Sequence, residues 1–319
     1  MRQFNVSVII PTFNRPAFLS EAVKSVLRQT CPALEIIIID NGSGAQQWSK
    51  NSGIGALDDS IILVRLQSNK GPGYARNLGI SISKGDWILF LDDDDILSPD
   101  FIEACLASLV AQSNAEMIIG RAVGFKRGCS ISYPRDAIGA INLKTCKKDP
   151  ITTLLINHIA IDSCIVKKKA IGSLRFREDI WQGEDTLFWF SLLEKIETPA
   201  TTDNAFVGIR QHPGQTTLKN SSLNLEGSPS FSKAACFKAI LDSMEVKNPW
   251  NEFMLKIIFK RIVNNTWYSL SVIAALMSNP LYGIRVTALL IKKRLYSYGI
   301  MPTKIFKKNI RDFTWLQSQ

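Results

Sequence analysis

The sequence predicts an α/β protein in which a mostly parallel sheet is flanked by helices on both faces. Apolar runs typical of buried strands alternate with segments whose apolar residues recur at helical spacing. The strand runs are almost continuously apolar, as a parallel sheet covered on both faces requires. The chain has 319 residues, of which 46% are hydrophobic, and this is enough to bury such a core.

The alternation can be followed element by element. Strands are predicted over residues 6–11, 34–40, 61–66 and 87–91, and helices over residues 16–30 and 74–83. A further helix is predicted after residue 97, with Ser98 as its N-cap and Pro99 at its first position. The order strand, helix, strand is that of a parallel βαβ unit.

Charge divides the chain into two parts. The net charge is +10, and residues 1–232 hold 24 Lys and Arg against 24 Asp and Glu, whereas residues 233–319 hold 14 against 4. The polar stretch at 216–230, which contains Gly, Pro and Ser, marks the predicted boundary. We expect an α/β domain over residues 1–230 and a basic helical region over residues 231–319.

Cysteine usage and the N-terminus bear on the cellular compartment. The six cysteines lie far apart and include no C-x-x-C pair, which favours a reducing cytosol over a zinc cluster or a disulfide framework. The first apolar run is too short for the core of a signal peptide and leads directly into the first predicted strand. Folding is therefore expected to start near the first residues.

Four consecutive aspartates, Asp92–Asp95, follow the strand at 87–91. Polar clusters at residues 11–15 and 40–44 follow the first two strands, and ligands of open α/β sheets bind at the carboxyl ends of strands. Adjacent carboxylates repel each other unless a cation or water compensates. Mg²⁺ or Mn²⁺, held by carboxylates and substrate phosphates, would do so. The alternative is a solvated acidic turn that stabilises the next helix dipole.

The chain resembles family 2 glycosyltransferases over residues 5–110, in four segments that have the order and spacing of that family: VSVIIPTFNRPAFLSEAVKSVLRQT, EIIIIDNGSG, NKGPGYARNLGI and GDWILFLDDDDILSPDFIE. The resemblance resumes in WQGEDTLFW and, more weakly, in GIRQHPGQTT. It implies an inverting enzyme of the GT-A (Rossmann-like) fold. Residues 1–115 would form the nucleotide-sugar half of the catalytic domain, and residues 116–230 the acceptor half.

The resemblance assigns the aspartates to the DxD element, which binds the metal that bridges the diphosphate of the donor. It implies that Asp94 contacts Mn²⁺ or Mg²⁺, with Asp92 beside the metal, its bound water or the ribose. Asp93 would reach the sugar, and Asp95 would have a supporting or capping role. A metal there would stabilise the negative charge that the diphosphate leaving group gains in the transition state.

Residues 11–15 and 40–43 resemble the nucleoside pocket of the family. Pro11, Phe13, Asp40 and Asn41 are therefore donor-binding candidates. Asn41 departs from the commonest pattern, in which two aspartates precede Gly-Ser and the second contacts the uracil edge. An Asn amide can still pair with a pyrimidine imide, so UDP is the expected nucleotide and dTDP the next. A plain turn at Asn41 and Gly42 is the alternative.

The segment at residues 69–79 has glycines, but their spacing matches neither common phosphate-loop pattern. In the resembled family this segment carries basic donor contacts. Arg76 is therefore predicted to face the diphosphate. Lys70 is predicted either to do the same or to lie on a solvated helix face.

Inverting transfer needs one general base, which takes the proton of the acceptor hydroxyl. The segment GEDTLFW resembles the ED element of the family, which makes Asp185 the candidate base and Glu184 its neighbour or an acceptor ligand. The alternative is a pair of acids that stabilises a helix N-terminus. His212 resembles the histidine of a downstream R-x-H element and is predicted to contact the metal or the diphosphate. His158 is expected to be structural.

The basic region contains two segments, at residues 250–277 and 282–311, with apolar residues at helical spacing and Lys and Arg among the rest. Neither has the roughly 18 uninterrupted apolar residues of a membrane-spanning helix. Such helices suit an anionic membrane surface. The alternative is a helical subdomain packed on the catalytic domain.

The sequence thus predicts a metal-dependent, inverting hexosyltransferase that uses a nucleotide-diphosphate sugar, with UDP-hexose favoured. The resembled bacterial enzymes imply a polyprenyl-diphosphate-linked glycan acceptor in O-antigen, capsule or exopolysaccharide synthesis, at the inner face of the cytoplasmic membrane. A sugar-phosphate nucleotidyltransferase is disfavoured because no Gly-rich loop follows the first strand. A nucleic-acid-binding protein is disfavoured because no RNA-recognition or helix-turn-helix signature is present.

Overall fold

The computed structural model describes residues 4–126, 159–181, 183–193, 195–196 and 199–212. His158, the predicted boundary at 216–230 and the two segments of the basic region lie outside these residues. The predictions made for them stay predictions.

Eight strands form one sheet in the described part of the chain, in the order β3-β2-β1-β4-β7-β6-β8-β5. The strands are β1 (Val6–Thr12), β2 (Glu35–Asp40), β3 (Ile61–Arg65), β4 (Trp87–Phe90), β5 (Ile96–Leu97), β6 (Met117–Lys126), β7 (Cys164–Lys167) and β8 (Pro199–Gln211). The helices are α1 (Pro16–Leu27), α2 (Ala45–Gly55), α3 (Gly71–Ile82), α4 (Phe101–Ala111), α5 (Lys168–Ile171) and α6 (Glu184–Leu193), and a 3₁₀ turn spans Ile161–Ser163.

The sheet has a parallel half and a mixed half. The neighbouring strands β3, β2, β1 and β4 run parallel to one another. β7 is antiparallel to both β4 and β6, whereas β6 and β8 are parallel. β5 pairs antiparallel with β8 at the edge. The predicted α/β class is confirmed, as a mixed and mostly parallel sheet.

Helices cover both faces of the parallel half, and this explains its apolar strands. Val8 and Ile10 of β1 belong to one buried cluster with residues of α1 and α4, whereas Ile9 belongs to a second cluster with residues of α3 and α6. Successive side chains of a strand point to opposite faces, so both sets must be apolar. In α3, a Cβ on Gly79 would lie 2.4 Å from Cγ2 of Ile9, which brings this helix unusually close to the sheet.

The structure corrects three details. The first helix ends at Leu27, before residue 30, and the helix predicted from Tyr74 already begins at Gly71. Ser98 does not cap α4, which begins at Phe101. Instead, the amide of Ser98 donates to the carbonyl of Phe206 at 2.8 Å and its hydroxyl accepts from the Phe206 amide at 3.3 Å, which extends the pairing of β5 with β8.

The helices α2 and α5, the strands β5, β6 and β7, and most of β8 were not predicted from the sequence. None of the helices in the described ranges is long and apolar enough to cross a bilayer.

Candidate active site

The candidate site lies at the carboxyl ends of β1, β2 and β4. The order of the sheet reverses between β1 and β4, and ligands of open α/β sheets bind at such a switch point. A hydrogen bond of 2.7 Å from the Thr12 hydroxyl to Oδ2 of Asp93 joins the end of β1 to the loop after β4. The first strand and the aspartate loop therefore form one surface.

The four aspartates have different environments. Asp93 and Asp95 are buried, whereas Asp92 and Asp94 are partly exposed. Burial, and next the charge of Asp94, raise the pKa of Asp93 to about 7. Carboxylates are therefore crowded here, as expected of a site that receives a cation.

Three of these carboxylates fit a divalent cation. Asp92, Asp94 and Asp95 each offer an oxygen atom, and these atoms lie within 4.8 Å of one another. Because Mg²⁺ and related hard cations bind oxygen at about 2.0–2.6 Å, one ion could contact all three. Asp95, for which a supporting role was predicted, thus joins the cluster. The donor set consists only of carboxylate oxygens, which suits Mg²⁺ or Mn²⁺.

Arg76 joins the aspartate loop to the start of α6. Its Nη2 donates to Asp92 at 2.6 Å and its Nη1 donates to Glu184 at 2.7 Å. The Arg76 side chain is only 4% exposed. Burial opposes its charge, but the two carboxylates outweigh burial and raise its pKa. The predicted contact of Arg76 with a diphosphate stays a prediction; the structure shows that Arg76 connects the two acidic motifs of the sequence.

Arg210 fixes the backbone of the aspartate loop from β8. Its Nε donates to the carbonyl of Asp94 and its amide donates to Oδ1 of Asp95, both at 2.7 Å. Its guanidinium lies 5.0 and 4.7 Å from the rings of Phe18 and Phe125. Arg210 is the arginine of the R-x-H element, and no role was predicted for it from the sequence.

His212 lies next to Asp94. Its Nε2 is 2.9 Å from Oδ2 of Asp94, and its ring lies 4.8 Å from that of Phe18. The same Oδ2 atom accepts a hydrogen bond from Nη1 of Arg15 at 2.8 Å. His212 thus lies beside the carboxylate cluster of Asp92, Asp94 and Asp95, and its role as a metal ligand stays a prediction.

Asp162 is a buried carboxylate beside the aspartate loop that was not predicted from the sequence. It lies in the 3₁₀ turn, is 1% exposed and is within hydrogen-bonding reach of Asp95. Burial is the main cause that raises the pKa of Asp162 to about 7, and burial also raises the pKa of Asp95 well above its ordinary value. No sequence signal marks Asp162, because it lies far from the aspartate run along the chain.

The nucleoside candidates lie around the ends of β1 and β2. Pro11 is buried within β1, and Phe13 is 40% exposed. Asp40 accepts the amide of Ser43 at 2.7 Å and the side-chain amide of Asn51 at 2.6 Å. These bonds fix the turn after β2, so Asp40 shapes the pocket wall.

Asn41 also makes several internal hydrogen bonds. Its side-chain nitrogen donates to Asn69 and to the carbonyl of Gly71, both at 3.0 Å, and its Oδ1 accepts the amide of Lys70 at 2.9 Å. Asn41 therefore joins the turn after β2 to the start of α3. The Lys70 ammonium lies over the ring of Tyr74, 4.5 Å from its centroid.

The acidic pair at the start of α6 differs in burial. The side chain of Glu184 is 8% exposed and pairs with Arg76, and burial raises its pKa to about 7. Asp185 is partly exposed, and its Oδ1 accepts the amide of Thr186 at 2.7 Å. After burial and Asp94, the charge of Asp185 contributes to a raised pKa of Asp92, which places these two carboxylates near each other. The more accessible acid is the predicted base.

The sequence of this chain is similar to those of several known proteins. The family described as Glycosyl transferase family 2 matches residues 7–173. An uncharacterized glycosyltransferase of Haemophilus influenzae is 30% identical over 194 residues, which are 60% of this chain and 73% of that protein. The GalNAc(5)-diNAcBac-PP-undecaprenol beta-1,3-glucosyltransferase of Campylobacter jejuni is 30% identical over 195 residues, 60% of each chain.

The fold has a solved counterpart. The crystal structure of residues 1–349 of S. aureus TarS, in complex with UDP-GlcNAc, superposes with a TM-score of 0.60 at 18% identity, covering 82% of this chain and 72% of that one. The identity is low, so this likeness concerns the fold. The chain spans only 30 to 38% of the length of three other relatives that it matches.

Proposed function

Because the chain belongs to glycosyltransferase family 2, we propose that it is an inverting, metal-dependent hexosyltransferase that uses a nucleotide-diphosphate sugar and a glycan acceptor. Family membership confirms the resemblance seen in the sequence. The observation that carries the proposal is the Arg76 bridge, which brings the aspartate loop and the acidic start of α6 into one site.

A UDP-sugar is the proposed donor. The TarS structure with UDP-GlcNAc supports this choice, because its fold matches over most of the chain. The exposed ring of Phe13 at the end of β1 is available to stack on a base. Asp40 and Asn41 keep the turn after β2 in place, so that the pocket is formed before the nucleotide arrives.

The carboxylates of Asp92, Asp94 and Asp95 would hold Mn²⁺ or Mg²⁺. When bound, the ion would supply positive charge that stabilises the leaving diphosphate. Arg210 holds the aspartate loop through the Asp94 carbonyl and the Asp95 carboxylate, which limits the movement of the ligands. Preorganised charge of this kind requires little rearrangement during the reaction.

Asp185 is the proposed general base. Its carboxylate is partly exposed at the start of α6, next to the site that holds the donor. It would accept the proton of the acceptor hydroxyl as that oxygen attacks the anomeric carbon and the bond to the diphosphate breaks. Glu184 is fixed by Arg76 and would position α6 beside the donor.

A polyprenyl-diphosphate-linked glycan is the proposed acceptor, and surface-polysaccharide synthesis at the inner membrane face is the proposed setting. The name of the Campylobacter jejuni relative, which describes an undecaprenol-linked acceptor, supports this assignment. The basic region at 231–319 would provide the membrane contact.

Release of UDP tests the proposal. Purified protein with Mn²⁺ is incubated with a panel of UDP-, dTDP- and GDP-sugars, with and without lipid-linked acceptors, and compared with Asp94→Ala and Asp185→Asn. We expect turnover of one donor, its loss in Asp94→Ala, and transfer to acceptor lost in Asp185→Asn while UDP binding remains. The exposed carboxylate Asp58 provides the control, because Asp58→Asn should leave turnover unchanged. Failure to bind or turn over any donor would refute the proposal.

A further inference from the structure

Among the described residues, three arginines contact the aspartate loop, and their side chains differ in exposure. The side chains of Arg76 and Arg210 are 4% and 2% exposed, and both are fixed by several hydrogen bonds or ring contacts. The side chain of Arg15 is 29% exposed and lies in the loop between β1 and α1. Of the three arginine side chains, that of Arg15 is therefore the most exposed.

Arg15 already occupies the position of a cation. Its Nη1 lies 3.2 Å from Oδ1 of Asp93 and 2.8 Å from Oδ2 of Asp94. Burial disfavours its charge, but Asp93 and Asp94 outweigh burial and raise its pKa. The guanidinium thus supplies positive charge to two of the four aspartates, Asp93 and Asp94.

The Asp94 oxygen that Arg15 contacts has little room for a further ligand. Oδ2 of Asp94 interacts with Arg15 and with Nε2 of His212, at 2.8 and 2.9 Å. A carboxylate oxygen offers about two lone-pair sites, so a divalent ion at Oδ2 must displace one of these groups. An ion at the other oxygen would be left close to a guanidinium, and like charges at that distance repel strongly.

We propose that Arg15 is an internal competitor of the divalent cation, which holds Asp93 and Asp94 before the cation binds and moves to the donor diphosphate afterwards. The movement of Arg15 to the donor diphosphate rests on the proposed function, whereas its competition with the cation does not. Arginine forms paired hydrogen bonds to phosphate as well as to carboxylate, so the exchange keeps its charge compensated. It makes cation and donor binding depend on each other.

The proposal predicts that removal of Arg15 changes the affinities for Mn²⁺ and for UDP in opposite directions. Without Arg15, the cation no longer competes with a guanidinium and meets two carboxylates that have lost a positive partner, so Mn²⁺ alone should bind more tightly. The diphosphate has lost a partner, so UDP should bind more weakly at saturating Mn²⁺. A purely structural arginine would weaken both when removed.

Mn²⁺ binding to the full chain, followed by the electron paramagnetic resonance of free Mn²⁺, tests the competition. Arg15→Gln is expected to bind at least about tenfold more tightly than wild type, the factor that one lost charge-assisted hydrogen bond represents. Arg28→Gln is the matched control, because Arg28 is an exposed residue at the opposite end of α1. Its removal changes the net charge equally, about 18 Å away along the helix, beyond the screening length at physiological salt.

Calorimetric measurement of UDP binding at saturating Mn²⁺ tests whether Arg15 contacts the diphosphate. Arg15→Gln should bind UDP about tenfold more weakly than wild type, because one charge-assisted contact is lost. Equal or weaker Mn²⁺ binding in Arg15→Gln, with a wild type that binds Mn²⁺, overturns the inference alone. If neither wild type nor Arg15→Gln binds Mn²⁺, the metal site of the proposed function fails as well. If Arg15→Gln does not fold, Arg15→Lys, which lacks the fork of donors, decides by the same criterion.

Discussion

Replacing Arg76 by Gln should destabilise the protein far more than removing a surface ion pair. Arg76 is 4% exposed and Glu184 is 8% exposed, so the substitution leaves a buried carboxylate without its counter-charge. Breaking a buried pair in this way costs about 3–5 kcal/mol. The side chain of Asp92 is 37% exposed, so water screens its interaction with Arg76. We therefore expect a loss of about 3 kcal/mol in the free energy of unfolding, at the lower end of that range.

The matched control is Arg177→Gln. The ion pair of Arg177 with Asp179 is short, but its side chains are 53% and 60% exposed. Exposed pairs contribute about 0–1 kcal/mol, so this variant should lie close to wild type. The two substitutions remove the same charge and differ mainly in burial.

Urea unfolding at pH 8, monitored by circular dichroism in the presence of EDTA, measures both losses. The loss in Arg76→Gln should shrink toward pH 6, because the pKa of Glu184, already raised to about 7, rises further without Arg76. The folded variant then keeps a proton that the unfolded chain releases, and this stability is lost as pH rises through the folded pKa. A loss no larger than that of Arg177→Gln at pH 8 would refute the reasoning.

Three further substitutions test the buried acid pair and the helix packing. The pKa of Asp162 is raised to about 7, so the stability of the metal-free protein should fall as pH rises from 5 to 8. In Asp162→Asn that fall should be smaller, with a gain of about 1–2 kcal/mol at pH 8 in urea unfolding, and an unchanged pH slope would contradict this. Gly79→Ala should lower stability by about 1–3 kcal/mol, because its Cβ would lie 2.4 Å from Ile9. Gly53→Ala in α2, whose Cβ would meet nothing within 4 Å, should raise stability by up to about 1 kcal/mol. Equal melting temperatures for the two glycine variants would disprove the packing argument.

Local patterns were sufficient for much of the fold and for the position of the site. The strands β1, β2 and β4 are buried on both faces and β3 is half-buried, so their apolar runs are almost continuous and easy to recognise. The chain position of the aspartates after β4 placed them at the carboxyl edge. The prediction at Ser98 was wrong because its partner, Phe206 of β8, lies 108 residues further along the chain. A two-residue strand such as β5 has no local signal.

The sequence by itself determined the α/β class, the acidic motifs and the family resemblance, because these depend on residue types at short spacing. Only the tertiary structure decided how the charges are compensated. The contact of Arg76 with Glu184 spans 108 residues, and that of Arg210 with Asp94 spans 116. Arg15 and Asp162 reach the aspartate loop from other segments as well. Partners so distant along the chain meet because the sheet brings its carboxyl ends together, and periodicity along one segment contains no information about them.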